Sequence, residues 1–462
     1  MGFATPGFLG FLAAVGLLYA AAPRRFRLSL SLMTSVLFYF QWSGLAFTLL
    51  LLGTTLLTFF AARSRSASLG ALALVCILLV GFKTLPLLGI VGLIPLGISY
   101  YSFKLAGYLI DCYMGEIEPE RQLARFLTFS AFFPQIVAGP IQRAQTFLPQ
   151  AQSVESAPPT AWTRAGLRII LGFFKKFVIA DNLGVIVDYV YSHLGAGSSA
   201  AAAFGFYGYP LQMYADFSGL ADIAIGASLL LGIKAPENFN APFAATSPSE
   251  YWRRWHISLT LWMTDYVFTP LRMSLRNLGN AGLVLSLFGN MILIGLWHGF
   301  IWTFAMFGAV HAVYLSIDAL TQKARRRFYR SHPKMDRFTD WVGPIVTFHL
   351  IAVAFVFFRA GTVGHVGLMF QQLLTGARTL PPEFQNLLAT AATSPRVLIS
   401  AWIAMEVADA VRRRYWSEPV PLMAHRWARW SAYGVTVLAL FFAVTFLLTS
   451  TRESTPFLYE IF

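Results

Sequence analysis

Charged side chains are scarce in this chain of 462 residues, of which 12% are charged and 56% are hydrophobic. An ordinary soluble domain carries about 25% charged residues. Together with a mean hydropathy of +0.60, this scarcity excludes a soluble enzyme, a disordered chain and a coiled coil. The net charge of +14 does not indicate a nucleic-acid partner, because the basic residues form short clusters between long apolar runs.

Cysteine is almost absent. Cys76 and Cys112 both lie in apolar runs and provide neither a disulfide framework nor metal-ligand spacing, so we expect no bound metal. We also expect no bound cofactor. The first apolar run, 6–22, also lacks a preceding basic region, and its arginines, Arg24, Arg25 and Arg27, come afterwards. This pattern predicts an uncleaved membrane anchor with the N-terminus outside, not a secretion signal.

Long apolar runs are abundant. A transmembrane helix needs about 20 apolar residues, and runs this continuous exclude the alternating strands of a barrel. We predict an all-α polytopic membrane bundle of roughly 11 spans, built as a single transmembrane domain over residues 1–462 with re-entrant segments and a central tunnel. The runs are 6–22, 28–62 with a break at 41–44, 69–113 with a break at 89–95, 167–191, 200–231, 282–296, 301–320, 341–358, 397–411 and 432–448.

Basic clusters lie between these runs, at 24–27, 63–65, 323–330 and 412–414. Lys and Arg are enriched in cytoplasmic loops of membrane proteins. We predict that all four clusters are cytoplasmic, the last two as loops, because even numbers of spans separate them.

Three stretches do not fit a simple span. The stretch 132–140 is apolar but contains two prolines and a glycine, and 236–276 is rich in polar and aromatic residues. Irregular backbone at membrane depth needs cover from protein or a water-filled cavity, so we predict that both are re-entrant and form walls of a site. The third stretch, 362–395, is weakly apolar and is predicted to lie outside the bilayer or along its interface.

Ionisable residues inside apolar runs indicate functional sites. Asp216 and Asp222 lie six positions apart in one run, so their side chains point about 240° apart around a helix and cannot form a carboxylate dyad. Two interpretations stay open: hydrogen bonds that hold the bundle together, or a polar wall of a substrate channel.

The segment 250–262 combines three tryptophans with the pair Arg253 and Arg254. Tryptophan favours the headgroup interface of a membrane, and arginine can hold a phosphate through two hydrogen bonds. The arginines are therefore predicted to contact either lipid phosphates or the phosphates and pantetheine arm of an acyl donor.

Three histidines lie in apolar runs. Residues 282–319 form a run of 38 residues, about 57 Å as one helix and too long for one crossing, so we predict a break at 297–299 that releases His298 from regular helix packing. His311 is 13 positions further on, about 20 Å along a continuous helix, and can share a site with His298 only if the break brings them together. His349 falls near the bilayer midplane. Each could instead be a satisfied hydrogen-bonding group.

Several motifs together resemble the membrane-bound O-acyltransferase (MBOAT) superfamily. The closer resemblance is to its bacterial polysaccharide-acetylation branch, that of the alginate O-acetylation membrane subunit. It extends from about Ile94 to Arg359, and segment 270–276 departs from the family's glycine-asparagine-arginine turn, which leaves the acceptor open. The motifs lie at 95–103, 133–143, 174–183, 214–219, 236–240, 251–260 and 295–299.

The resemblance implies acyl transfer across the bacterial cytoplasmic (inner) membrane. An acyl group, most simply acetyl, is expected to pass from a cytoplasmic thioester co-substrate, acetyl-CoA or an acyl carrier protein, to an extracytoplasmic polysaccharide or a periplasmic esterase-like acetyltransferase. The alternatives are D-alanyl transfer, as in teichoic-acid modification, lipid acyl transfer and, in a different class, a proton-coupled transporter without acyl chemistry.

The resemblance also implies catalytic residues. The alginate branch uses the histidine of a Trp-His-Gly motif, here His298, whereas the D-alanyl branch uses a later histidine, which corresponds to His349, 51 positions on. A neutral histidine can accept the proton of a hydroxyl that attacks a thioester, and an indole or backbone N–H can stabilise the oxyanion. The predicted substrate- or donor-binding residues are Trp297, Arg253, Arg254, His256, Asp216 and His311.

Overall fold

The computed structural model describes residues 5–90, 94–152, 159–195, 197–390 and 392–415. The regular secondary structure of these residues is helical, and they contain no strand apart from an isolated bridge between Ser198 and Ala377. The all-α prediction is therefore confirmed. The predicted span 432–448 lies outside the described residues. The chain divides into two compact units, each described by itself below.

The first unit contains the described parts of 1–172 and of 220–237. A 3₁₀ turn at Leu85–Leu88 follows its third helix. Its helices are α1 (Pro6–Ala21), α2 (Arg24–Ala61), α3 (Arg65–Thr84), α4 (Ile98–Met114), α5 (Leu123–Ala131), α6 (Phe133–Ile136), α7 (Ala144–Gln152) and most of α8 (Pro159–Phe174).

Both breaks predicted in this unit are confirmed. The first is a kink inside α2 at Gly44, whose φ of 77° and ψ of 178° are not helical. The second is the interval between α3 and α4, which ends at Gly97 with a φ of 66°. A Cβ at Gly97 would lie 2.0 Å from the carbonyl oxygen of Ile136, so only glycine fits there. The stretch 132–140 is buried throughout, which gives its irregular backbone the protein cover it needs; a re-entrant path remains a prediction.

The second unit contains the described parts of 173–219 and of 238–451. Helix α10 (Ser199–Leu230) begins in this unit and ends in the first. The other elements are π-helical turns at Lys175–Ala180 and Thr264–Phe268, 3₁₀ turns at Pro242–Ala244 and Arg276–Leu278, and α9 (Asp181–Ser192), α11 (Pro248–Arg254), α12 (Ile257–Met263), α13 (Thr269–Ser274), α14 (Gly279–His298), α15 (Trp302–Ser331), α16 (Pro333–Arg359), α17 (Val363–Thr375), α18 (Pro382–Ala389) and α19 (Pro395–Tyr415).

A multi-pass membrane protein is supported by six helical segments of the described chain. Each is long and apolar enough to cross a bilayer, and α1 is a shorter apolar helix. The predicted number of roughly 11 spans is not confirmed, because several predicted spans fold as shorter helices, such as α4 with 17 residues. The six segments are Arg24–Ala61, Arg65–Leu88, Ser199–Leu230, Arg276–His298, Trp302–Ser331 and Pro333–Arg359.

Two basic clusters predicted as loops are helical instead. Helix α15 continues through 323–330, and α19 continues through 412–414. Lys and Arg are good helix formers, so a charged cluster ends the apolar stretch without ending the helix. Arg412 is also buried, and its Nε lies 3.1 Å from the carboxylate of Asp409. The cytoplasmic side of these clusters remains a prediction.

Glycines let α14 and α15 approach closely. A Cβ at Gly295 would lie 2.1 Å from the carbonyl oxygen of Phe304, and a Cβ at Gly308 would lie 2.3 Å from that of Met291. Small residues permit such backbone contact between membrane helices. This contact fixes the C-terminal end of α14, where His298 lies.

Candidate active site

His298 is the last residue of α14, and a short turn separates it from α15, so the predicted helix break is confirmed. Its side chain is buried, with 7% exposed, and aromatic rings surround it. The centroid of its imidazole lies 4.5 Å from the ring of Trp297, 4.7 Å from Phe358 and 6.0 Å from Phe304. The break therefore holds His298 in an aromatic pocket formed by α14, α15 and α16.

His311, on α15, is fully buried in an adjoining set of rings. The indole N–H of Trp252 donates a hydrogen bond to its Nδ1 at 3.2 Å, so Nε2 carries the proton of the neutral imidazole. Its ring lies 4.6 Å from that of Phe307, which lies 5.1 Å from Phe358, the ring that contacts His298. The two histidines are thus connected through aromatic rings.

His256 is the N-cap of α12, with a φ of 43° that is uncommon for any residue other than glycine. Its Nδ1 lies 3.3 Å from Oδ1 of Asn238, which also accepts hydrogen bonds from Ser258. Nδ1 therefore carries the proton, and Nε2 is the basic nitrogen. Burial lowers the pKa of His256 to about 3, which keeps the ring neutral. It lies 6.2 Å from Trp297, the neighbour of His298.

The three tryptophans of segment 250–262 are buried by protein and not exposed at the surface; their depth in the membrane remains a prediction. Trp252, Trp255 and Trp262 are only 4% to 8% exposed. The chain turns sharply between α11 and α12, so that Tyr251 stacks on Trp255 at 5.6 Å and Trp255 packs against Phe355 at 5.6 Å. Packing against these rings removes the tryptophans from the surface.

The structure gives the two arginines of this segment different environments. Arg254 donates to the carboxylate of Glu250 at 2.7 Å and to the carbonyl of Asn240 at 3.2 Å. Burial would raise the pKa of Glu250, but hydrogen bonds from Thr246 and Arg254 lower it below its ordinary value. Arg253 is exposed, and none of the described residues is seen to pair with it. Arg253 is therefore better placed for a phosphate, which remains a prediction for both.

His349 is not brought to the other histidines. It lies on an exposed face of α16, where its Nδ1 is 2.7 Å from the carbonyl oxygen of Ile345 and its ring is 5.4 Å from Tyr207. Phe358, the ring in contact with His298, is nine positions further along α16, about 14 Å away and on the opposite face of the helix. Its predicted catalytic role remains a prediction.

The two aspartates of α10 have separate cationic partners, as their predicted orientation requires. Asp216 lies 3.0 Å from Nζ of Lys176, which also pairs with Asp181 at 2.9 Å. Asp222 pairs with Arg168 at 2.9 Å in the first unit. Buried charges need such pairing, so the interpretation that these residues hold the bundle together is favoured over a channel wall.

Sequence reasoning missed the cations Arg168, Lys175 and Lys176 and the amide of Asn238. The cations lie in the predicted span 167–191, where a charge indicates a partner of opposite sign, so that signal was present. Asn238 lies in the motif 236–240, but its contact with His256 could not be read from the sequence, since it joins residues 18 positions apart. Among the described residues, no group of three or more His, Cys, Asp or Glu side chains is arranged to hold a metal ion.

Comparison with known proteins matches the model of the membrane-bound O-acyltransferase family (MBOAT) to residues 120–360. The chain is 33% identical over 375 residues to the "Probable alginate O-acetylase AlgI" of Azotobacter vinelandii, covering 74% of this chain and 72% of that protein. It is 34% identical over 309 residues to the peptidoglycan O-acetyltransferase of Helicobacter pylori, covering 60% and 55%. It is 30% identical over 291 residues to the teichoic acid D-alanyltransferase of Bacillus subtilis, covering 58% and 70%.

The matched region contains the helix break, the aromatic pocket and the three buried histidines, His256, His298 and His311. A neutral imidazole in a pocket of apolar rings is suited to proton transfer. Matched over more than half of its length, the chain belongs to the membrane-bound O-acyltransferase family and is a membrane O-acyltransferase.

Proposed function

We propose that this protein transfers an acetyl group from a thioester on the cytoplasmic side of a bacterial inner membrane to an acceptor outside. The acceptor is a polysaccharide hydroxyl or a periplasmic acetyltransferase, and the donor is acetyl-CoA or an acyl carrier protein. The observation that carries the proposal is His298, a buried imidazole at a helix break within the family region. Two relatives named for O-acetyl transfer, acting on alginate and on peptidoglycan, support acetyl as the group.

In the proposed reaction, a neutral His298 accepts the proton of the acceptor hydroxyl as its oxygen attacks the thioester carbonyl carbon. The carbonyl oxygen becomes an oxyanion in a tetrahedral intermediate. Collapse of that intermediate breaks the carbon–sulfur bond, and the imidazolium returns its proton to the departing thiolate. An ester and a thiol are formed, and His298 is regenerated. Burial among rings supports this role, because it favours the neutral form of a histidine.

Donors for the oxyanion are available close to His298 in the sequence. Helix α15 begins four residues later, and Ile301, its N-cap, has no side chain that caps the first turn. The N–H groups of a first helical turn carry partial positive charge, and such preorganised donors stabilise an oxyanion. The indole of Trp297 is a second candidate donor.

D-alanyl transfer is the second candidate function. It is favoured by the similarity to the Bacillus subtilis teichoic acid D-alanyltransferase and by the sequence Thr347-Phe-His-Leu. In that case His349 would act as the base, from a position on α16 away from the aromatic pocket. The two candidates therefore differ in both the donor and the essential histidine.

The test uses purified protein in lipid vesicles, supplied with acetyl-CoA, an acetylated carrier protein or a D-alanylated carrier protein. Thiol release and acyl transfer to an added glycan are measured for the wild type and for His298→Ala and His349→Ala. His193→Ala, which removes an exposed imidazole, is the matched control. Acetyl-dependent thiol release that only His298→Ala abolishes supports the proposal.

Two outcomes would contradict it. If His298→Ala kept more than about a tenth of the activity while His349→Ala kept none, the base would be His349. If the folded wild type cleaved only the D-alanyl thioester, acetyl transfer would be wrong and the second candidate would replace it.

A further inference from the structure

A cleft of about 600 Å³ lies between α15 and α16, away from the aromatic pocket. Its first residue on α15, Thr321, is ten positions beyond His311, about 15 Å along the helix. Most of its wall is apolar, and its volume falls in the range of pockets that hold small molecules. The apolar side chains of the wall include Phe328, Met335, Phe338, Val342 and Val346.

The cleft crosses the level at which both helices change from apolar to charged. On α15 the apolar run 301–320 ends at Leu320, with Asp318 as its one charged residue, and a basic cluster begins at Lys323; Phe328 within that cluster is also exposed. On α16 the charges at the start of the helix end at Asp340, and no further charge follows until Arg359 at its end; Trp341, which is 81% exposed, comes directly after Asp340. Trp marks the boundary between hydrocarbon and headgroups. One end of the cleft therefore lies at hydrocarbon depth and the other at headgroup depth.

The headgroup end is strongly positive. The hairpin 323–340 contains seven basic and two acidic residues, a net charge of +5. Arg325 lines the cleft and is paired with Asp318, so it contributes little to this excess. The remaining basic residues are exposed at the surface of the hairpin: Lys323, Arg326, Arg327, Arg330, Lys334 and Arg337.

A close contact between Gly343 of α16 and Thr246, which precedes α11, bounds the cleft on one side. A Cβ at Gly343 would lie 2.9 Å from the backbone oxygen of Thr246, which is also part of the wall. Thr246 donates two hydrogen bonds to Glu250 of α11, the helix that carries Trp252. The cleft therefore borders the segment that positions the hydrogen-bond donor to His311.

We propose that this cleft binds one anionic phospholipid, with an acyl chain between α15 and α16 and the phosphate among the basic residues of the hairpin. The apolar wall, which extends from Val342 and Val346 to Phe338 and Phe328 within the hairpin, accounts for the chain, and basic residues attract anionic headgroups at the membrane surface. A zwitterionic lipid would gain the same apolar contacts but less from the charge. The site therefore prefers anionic over zwitterionic phospholipids, and the bound lipid packs against the wall at Thr246.

The test measures lipids retained by the purified full-length protein. Protein in mild detergent is incubated with equal amounts of phosphatidylglycerol and phosphatidylcholine, and native mass spectrometry counts the bound lipids. We expect one phosphatidylglycerol to be retained with a preference of about tenfold or more. Val342→Trp fills the cleft with every charge kept, and Arg326→Gln/Arg327→Gln/Arg330→Gln removes three charges with the cleft kept. Both should abolish the preference.

The control is Arg24→Gln/Arg25→Gln/Arg65→Gln, which removes three exposed charges from the other basic clusters and should change nothing. Retention by Val342→Trp at the wild-type level would overturn the proposal, because binding would then need charge alone. Equal retention of phosphatidylcholine, an equal loss in the control, or displacement by glycerol phosphate alone would also overturn it. If Val342→Trp does not fold, Val346→Phe fills the same cleft and is judged by the same outcomes.

Discussion

Two groups of buried polar residues in the second unit differ in how their polarity is satisfied. In the ionic group, Lys176 meets Asp216 at 3.0 Å and Lys175 meets Asp409 at 2.7 Å. In the histidine group, His256, His298 and His311 lie mainly among aromatic rings. The sequence presents most members of both groups in the same way, as ionisable residues inside apolar runs, whereas His256 lies in the polar and aromatic stretch 236–276. We propose that their surroundings separate a structural role, for the ionic group, from a chemical one, for the histidine group.

The difference follows from the energetics of burial. An isolated charge is too costly to bury, so Lys and Asp persist only as pairs whose attraction offsets desolvation. A histidine can be buried by remaining neutral. Its imidazole then keeps one basic nitrogen and can still accept a proton in a reaction. We therefore expect variants of the two groups to affect different quantities.

The largest effect is expected for His298→Ala. Loss of a general base typically lowers the rate by about 10²–10⁴, whereas the fold should survive because His298 lies at the end of α14 and alanine is a good helix former. Acyl transfer per folded molecule and thermal unfolding in detergent are the measurements. If activity falls only in proportion to the folded fraction, His298 has a structural role and is not the base.

The converse is expected for Lys176→Met. It leaves Asp216 and Asp181 without their cation, and breaking a buried pair costs about 3–5 kcal/mol of stability. The folded yield and unfolding temperature should fall, while the remaining folded protein transfers acyl groups at the normal rate. Lys176→Met/Asp216→Asn should recover part of the stability. A lowered rate at normal stability would give the ionic group a chemical role.

His311→Ala tests whether this histidine contributes to stability, as the ionic group does, or to the reaction rate, as His298 is proposed to do. It leaves the indole N–H of Trp252 without its acceptor, which costs about 1–3 kcal/mol, and it opens a gap in the set of rings that adjoins the aromatic pocket. We expect a moderate loss of both stability and rate, smaller in rate than for His298→Ala. Trp252→Phe, which removes the donor, is the matched control and should be milder. A loss of rate equal to that of His298→Ala would assign His311 to the reaction itself.

The smallest effects are expected for the two arginines of α11. Arg254→Ala breaks its contact with Glu250 and should lower stability slightly, by about 1 kcal/mol or less for a partly exposed pair. Arg253→Ala should raise the KM for the donor if its guanidinium holds a phosphate, with stability unchanged. An unchanged KM in a well-folded Arg253→Ala/Arg254→Ala protein would contradict donor binding and indicate that both residues contact lipid or loop backbone instead.

The sequence predicted those parts of the fold that depend on residues close to one another in the chain. The kink at Gly44 and the break after His298 follow from helix length and from glycine. The separate orientation of Asp216 and Asp222 follows from the helical repeat alone. The position of His349 near the bilayer midplane remains a prediction, and its run could not show which face of α16 it occupies.

The sequence by itself determined the helical membrane class, the helix breaks and the acyltransferase family, because apolar length, glycine placement and short motifs are properties of contiguous residues. Only the tertiary structure decided that Lys176 neutralises Asp216, that Trp252 fixes the tautomer of His311, and that His349 lies apart from His298. These depend on residues 40 and 59 positions apart in the first two cases. The physical reason is that burial and pairing are set by packing between helices, and the register of one helix against another is not encoded in either helix alone.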